Sequence, residues 1–156
     1  MVTRRKAFVG QNLFAKGACF AAMEILKPEV FKNVIMLIDN HVKCGIEIDI
    51  SSYEKPMRFR LVRPGSNWYT AGRTVECILE DMRSITFKII TPENKYYDEV
   101  VDISEIPFRE GKTTRVSVSV SFTDSDRCNI TIKDLGFGEF VKSSGKVISK
   151  ELVLRS

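Results

Sequence analysis

The residues able to do chemistry in this 156-residue chain are few and scattered along the sequence. His41 is the only histidine, and neither a nucleophile signature nor a second base accompanies it, so Ser-His-Asp and Cys-His catalysis lack support. A paired acid and base, a nucleophile elbow and metal-ligand spacing are also missing from the sequence. We therefore expect a protein that is not an enzyme, with no catalytic residue and no bound metal.

A glycine-containing segment, 134–139, has the spacing Gly136-x-Gly138 that brings a backbone close to an anion in some proteins. A phosphate-binding turn needs a following helix whose N-terminus faces the ligand. Here the chain continues into a loop and a strand instead. The pattern therefore favours a turn that glycine permits at the end of a strand, with Phe137 on the core.

Two aromatic residues, Trp68 and Tyr69, follow the turn at 64–67. Aromatic side chains at this kind of loop edge either pack at the rim of a core or contact a ligand in a groove. Both interpretations stay open from the residues alone, and rim packing is the more common.

The four cysteines are isolated and lie in apolar runs, where a free cysteine behaves as a small hydrophobic residue. No C-x-x-C pair occurs, so neither a zinc site nor a redox site is indicated. A secretory signal is absent from the sequence, and no apolar run approaches the ~20 residues that span a bilayer. We expect free thiols, a cytoplasmic location and no membrane partner.

The net charge of +4 is mild, and charges of both signs alternate along the chain. A nucleic-acid-binding domain concentrates its basic residues in a patch with interleaved aromatics. The densest basic cluster is Arg4-Arg5-Lys6, near the N-terminus. The pattern indicates a solvated mixed surface and no nucleic-acid partner.

The segment from Gln11 to Leu26 predicts a helix that is apolar nearly all round, with Lys16 and Glu24 as its only charges. Asn12 is a suitable N-cap, and Pro28 stops the helix. Because a surface helix shows one apolar stripe, a helix of this kind belongs inside a larger body. We expect the chain to be the end of a bigger protein in which this helix has more neighbours.

From Cys44 onward the hydrophobic period changes to two, and turn signals recur every ~8–12 residues. Alternation of apolar and polar residues is typical of antiparallel strands with one face on a core and one in water. The sequence therefore predicts a mainly β protein, an antiparallel β-sandwich of about seven or eight strands preceded by one N-terminal helix. The clearest alternating run is 116–122, others are 46–50, 57–61, 75–79, 85–89 and 130–132, and a last strand is predicted at 147–153.

The order of several segments, from Val9 to about Asp134, resembles the DnaK-type heat-shock chaperones. The 15–22 segment, Ala-Lys-Gly-Ala-Cys-Phe-Ala-Ala, is similar to the last buried helix of the family's actin-like ATPase domain, and 33–39 to its apolar interdomain linker. Cys44-Gly45-Ile46-Glu47 resembles the Leu-Gly-Ile-Glu that opens the substrate-binding sandwich. Further similarities are the 61–64 segment, which resembles Leu-Ile-Pro-Arg, and the paired strands of 116–134.

This resemblance implies three parts: residues 1–32 as the terminal helix of a truncated actin-like ATPase domain, 33–43 as a linker, and 44–156 as the chaperone-like sandwich. It also implies a noncatalytic module that binds an extended peptide or protein segment. The chain itself would need no cofactor, and ATP would bind only in the intact parent, whose ATPase domain would be a partner. The implied peptide-binding residues are Met57, Trp68, Ala71, Val75 and Cys77, and the implied linker residues are Val34, Ile35, Met36, Leu37 and Ile38.

A second hypothesis is structural. The sandwich would dock onto its own ATPase domain or onto a partner subunit, with no client peptide. The apolar helix would then be an assembly surface that forms a homo-oligomer through Phe14 and Phe20.

Overall fold

The computed structural model describes residues 12–26, 39–52, 55–80 and 82–155, and the chain divides into two units, Met1–Ile35 and Met36–Ser156. The first unit contains α1, Leu13–Leu26. This helix starts directly after the predicted cap, and the amide of Lys16 donates to the carbonyl of Asn12 at 2.9 Å. The predicted linker Val34–Ile38 lies outside the described residues, and the boundaries at 32–33 and 43–44 stay predictions.

The second unit consists of two four-stranded antiparallel sheets with the strand orders β2-β1-β4-β5 and β3-β6-β7-β8. The predicted mainly β fold, a sandwich preceded by one helix, is confirmed. The strands are β1 Gly45–Ser52, β2 Lys55–Val62, β3 Arg73–Ile78, β4 Ser84–Ile90, β5 Tyr96–Asp102, β6 Arg115–Asp124, β7 Arg127–Asp134 and β8 Val147–Val153.

The alternating sequence explains how the two sheets share one core. In β6, Val116, Val118 and Val120 are buried, whereas the serines between them lie on the outer face. The same period buries Ile46 from β1 and Ile130 from β7 completely. Because successive side chains of a strand point to opposite faces, each sheet gives one apolar face to the interior. The core therefore lies between the two sheets.

The edge strands meet in pairs along the two sides of the sandwich. On one side, β3 carries Arg73, whose Nη1 donates to the carbonyl of Arg60 in β2 at 3.3 Å and whose guanidinium lies 5.3 Å from the centre of the Phe59 ring. On the other side, Lys150 of β8 bonds to residues of β5. We call these two sides the β2–β3 seam and the β5–β8 seam.

Candidate functional site

A cleft of about 600 Å³ opens between the end of β1 and the part of β3 that follows Arg73. Its lining joins the inner faces of both sheets with the segment that leaves β3. The apolar lining residues are Ile48, Ile50, Val75, Cys77, Ile78, Leu79, Met82, Ile85 and Val118. The cleft is thus a place where the core can be reached from outside.

The cleft exists because β1 and β4 pair over only half of their length. Their register runs from Gly45 opposite Ile90 to Ile48 opposite Phe87. Beyond that point β1 continues to Ser52, where it pairs with β2 alone, and the first residues of β4 pair with β5 alone. The ends of β1 and β4 therefore lack a cross-strand partner on their facing sides and leave Ile50 in the wall of the cleft.

The backbone of β3 is available along the outer edge of the same cleft. The amide of Leu79 donates to the carbonyl of Thr114 at 2.8 Å. This pair continues the β3–β6 ladder two residues beyond the pair of Cys77 with Val116. Hydrogen-bonded pairs alternate in an antiparallel ladder, so the odd-numbered residues of β3 bond to β6. The N–H and C=O groups of Thr74, Glu76 and Ile78 consequently point away from β6, and no described strand pairs with them.

The rim of the cleft is charged. Asp49, Glu76 and Glu80 contribute carboxylates to the lining, and Lys112 contributes an ammonium group. Lys112 Nζ lies 2.7 Å from Glu80 Oε1, while Asp49 pairs with Lys88 at 2.8 Å and Glu76 pairs with Arg115. All three carboxylates have more than half of their side-chain surface exposed, so the pairs add little to stability and can rearrange around a ligand.

Cys77 is the thiol in the cleft wall, and burial raises its pKa. A thiol with a raised pKa is protonated at neutral pH and is a poor nucleophile. Cys77 therefore contributes a small polarisable surface to the cleft. All four cysteines are free thiols, and Cys44 and Cys128 are buried.

The structure brings together two of the five predicted peptide-binding residues. Val75 and Cys77 line the cleft. Met57 lies opposite Ile50 in the β1–β2 register, on the same face of the sheet, and is 46% exposed, but it is not part of the lining. These three residues belong to the same end of the sandwich.

Trp68 and Ala71 lie at the other end of β3 and do not line the cleft. The indole of Trp68 packs against the core and meets the Tyr69 ring edge-on with centroids 5.7 Å apart. Its amide donates to the carbonyl of Asn40 at 3.2 Å, and Ala71 is buried. Trp68 thus packs at the rim of the core, and its assignment to peptide binding stays a prediction.

Three apolar lining residues near the end of β3 and the start of β4 were not assigned to a site in the sequence analysis. Leu79 directly follows β3 and Ile85 lies in β4, whereas Met82 belongs to the turn-like segment between them. The available signal is that apolar residues flank the acidic pair Glu80-Asp81 on both sides. This arrangement is not typical of a simple hairpin turn.

The loops next to the cleft end are held by a fully buried carboxylate. Asp134 accepts two hydrogen bonds from the Arg109 guanidinium at 2.9 and 2.7 Å, and further ones from the amides of Gly136 at 3.0 Å and Ser144 at 2.7 Å. The paired guanidinium, followed by the bonds from Ser144 and Gly136, holds the pKa of Asp134 well below its ordinary value of 3.8 although burial acts in the opposite direction. This network joins the loop before β6 to the loop after β7.

The glycine-containing segment is a turn, as predicted. Gly136 and Gly138 have φ values of +67° and +60°, and Phe137 is half-buried and bridges to Val141. A Cβ at Gly136 would lie 2.4 Å from the Val141 carbonyl oxygen, so this position has no room for a side chain.

The remaining candidate for chemistry, His41, forms an isolated bridge with Asn67, and its Nδ1 is buried with no hydrogen-bond partner. In the described part of the chain, no three His, Cys, Asp or Glu side chains gather closely enough to hold a metal ion. Within the same residues, no helix has the length and hydrophobicity needed to cross a membrane.

One family model matches this chain over residues 41–154, and its description is "Domain of unknown function (DUF8552)". The chain belongs to this family. The matched range includes all eight strands and every lining residue of the cleft, so the cleft is part of the family's domain. No curated protein and no solved structure matches the chain.

Proposed function

We propose that the sandwich is a noncatalytic, chaperone-like module that holds an extended peptide or protein segment in the cleft. The observation that carries this proposal is the apolar cleft beside the free backbone edge of β3. In β-strand addition, main-chain hydrogen bonds give affinity, and pockets for alternate side chains give selectivity. The outward groups of Thr74, Glu76 and Ile78 supply the first requirement, and the cleft supplies the second.

The resemblance to the DnaK-type chaperones supports the same function and adds a setting. In a larger protein, an actin-like ATPase domain would be the partner of this module, and ATP would bind there. Nucleotide state would then reach the cleft through the predicted linker at Val34–Ile38. The proposed location is the cytoplasm, and the proposed ligands exclude nucleic acid and membranes.

Fluorescence anisotropy with labelled peptides tests the proposal. The peptides carry one leucine in a background of serine and lysine, and a matched pair of variants locates their site. Ile78 lines the cleft and is 47% exposed, whereas Val100 lies on β5 with 51% exposure. Ile78→Ser should weaken the affinity about fivefold, since the half-exposed side chain loses part of an apolar contact, and Val100→Ser should leave it unchanged.

Saturable binding that responds to Ile78→Ser alone supports the cleft as the peptide site. The proposal fails if no peptide of the series binds in a saturable manner. It also fails if both variants weaken binding equally, because the ligand would then contact apolar surface without preference for the cleft.

The second candidate is an assembly function, and the exposure of α1 favours it. Phe14 and Phe20 are 92% and 66% exposed, and Leu13, Met23 and Leu26 are also exposed. Large exposed apolar surfaces mark interaction sites. We propose that α1 forms a homo-oligomer or docks onto an ATPase domain or a partner subunit. Light scattering should show an oligomer that Phe14→Ser with Phe20→Ser dissociates, and a monomeric wild-type chain at high concentration would exclude self-association.

A further inference from the structure

A second, smaller cavity of about 270 Å³ lies next to the cleft. Phe108 and Gly111 line it together with Leu79, Glu80 and Lys112, and the last three residues also line the cleft. The two cavities are therefore neighbours along one surface. The boundary between them is the Glu80–Lys112 ion pair, and we call the smaller cavity the second subsite.

The loop that carries Phe108 is fixed in place. The next residue, Arg109, donates its main-chain N–H to Thr114 Oγ1 at 2.8 Å and its guanidinium to the buried Asp134. Phe108 itself stays 44% exposed. At Gly111, whose φ is +73°, a Cβ would meet no atom within 4 Å, so the second subsite is open on that side. Phe108 is therefore an exposed aromatic side chain on a fixed loop, and it offers a preformed contact surface for an apolar group.

We propose that the second subsite binds a second apolar side chain of the same extended segment, so that the domain selects segments with two apolar residues an even number of positions apart. This inference rests on the proposed function, because it needs a strand paired with β3. Side chains of a strand alternate between faces, so only residues separated by an even number share the face that meets both cavities. Leu79 is the apolar residue common to the two sites.

The ion pair at the boundary can give way to the residues between the two apolar positions. Glu80 and Lys112 have 60% and 69% of their side-chain surface exposed, so a ligand can displace their ion pair readily. The lining of the cleft holds three carboxylates, those of Asp49, Glu76 and Glu80, against one ammonium group. The cations that pair with the first two carboxylates lie outside the lining. Because these neighbouring cations neutralise the two carboxylates, the charge of the rim gives no preference between basic and acidic residues in the ligand.

The test uses the full chain with Cys19→Ser, which leaves Cys77 as the accessible thiol because Cys44 and Cys128 are 1% and 0% exposed. Serine-lysine peptides carry one leucine, or two leucines separated by two to six positions. Anisotropy measures affinity. Protection of Cys77 from alkylation at alkaline pH, where part of the thiol is ionised and the free chain is first shown to react, reports occupancy of the cleft. The second leucine should strengthen binding about tenfold at its best even spacing and not at odd spacings.

Three variants assign this gain to the second subsite. Phe108→Ser should remove it and Phe108→Leu should retain it, and both are checked for wild-type thermal unfolding. Phe140→Ser is the matched control, because Phe140 is 91% exposed and lines neither cavity. If single-leucine peptides protect Cys77 but the second leucine adds nothing, or adds equally at odd spacings, the second subsite is refuted and the proposed function stands. If no peptide protects Cys77, the proposed function itself fails.

Discussion

The two seams of the sandwich are built from similar edge strands but are closed differently. At the β5–β8 seam, Lys150 Nζ lies 3.1 Å from Glu99 Oε2 and donates to the carbonyl of Val100 at 2.8 Å. At the β2–β3 seam, Arg73 makes the corresponding link at one end only, and beside the rest of β3 lies the cleft. A charged side chain that points inward at an edge discourages the addition of another strand. The comparison indicates that one seam is sealed and that the other is left free to pair.

The open seam is also the one whose neighbouring loops are anchored most strongly. The Arg109–Asp134 ion pair is almost fully buried. Asp134 pairs with Val116 of β6, and Val116 pairs with Cys77 of β3, so the ion pair lies near the end of β3. The ion pairs at the cleft rim are exposed instead. Fixed loops around an adjustable rim are what a binding site needs, because its walls must keep their position while its polar groups exchange partners.

The largest expected effect comes from breaking the anchor beside the open seam. Asp134→Asn leaves the buried Arg109 guanidinium without its carboxylate, so the free energy of unfolding should fall by about 3 kcal/mol. Urea unfolding at neutral pH measures this. Asp124→Asn is the control, because Asp124 lies exposed at the β6–β7 turn and its loss should cost less than about 0.5 kcal/mol. Equal effects of the two substitutions would contradict the assignment of Asp134 as the anchor.

The same carboxylate makes stability depend on pH in the acid range. The pKa of Asp134 is lowered in the folded state, so the unfolded state binds its proton more readily. The stabilisation is therefore present above the ordinary value of 3.8 and is lost as the pH falls below it, by about 2 kcal/mol. Urea unfolding between pH 6 and pH 2 should show this decline in the wild-type chain. Asp134→Asn should show a shallower one, and parallel curves would argue against it.

Replacing Lys150 and Arg73, the side chains that bridge the edge strands at the two seams, compares the seams directly. Lys150→Met leaves the carboxylate of Glu99 and the carbonyl of Val100 without a partner, so it should cost about 1 kcal/mol of unfolding free energy. Arg73→Met should cost less, since Arg73 is exposed, but it should change the affinity for leucine-containing peptides. Lys150→Met should leave that affinity unaltered. An affinity change in Lys150→Met alone would reverse the roles of the seams.

The smallest effect is expected at the cleft rim. Glu80→Gln removes an ion pair whose two side chains are mostly exposed, so unfolding free energy should change by less than about 0.5 kcal/mol. Thermal unfolding of this variant beside the wild-type chain measures it. A loss above 1 kcal/mol would mean that the rim is a structural element and is not free to rearrange.

The sequence predicts the sandwich well because apolar and polar residues alternate within each strand, and this pattern is local. Val116, Val118 and Val120 between serines identify an amphipathic strand without any knowledge of its partners. The helix after Asn12 follows in the same way from local capping. Long-range pairing is not local, and for that reason the early end of the β1–β4 register and the opening it creates could not be predicted.

The candidate site was predicted in part for the same reason. Val75 and Cys77 alternate within one strand, and their shared face is a local property. Trp68 and Ala71 are only a few residues away, yet the bend before β3 places them at the opposite end of that strand. The Arg109–Asp134 pair joins a residue of the loop before β6 to the last residue of β7, and no spacing in the sequence connects them.

The most direct test of the central claim, that a segment pairs with the free edge of β3, removes one backbone donor from that edge. Glu76→Pro deletes an N–H that points away from β6, a position where an edge strand tolerates proline. Glu76→Ala keeps the N–H and loses only the carboxylate. We expect peptide affinity to fall at least about tenfold in Glu76→Pro and to stay near wild type in Glu76→Ala, with both variants folded. Folded Glu76→Pro that binds the peptides as tightly as Glu76→Ala would contradict the account.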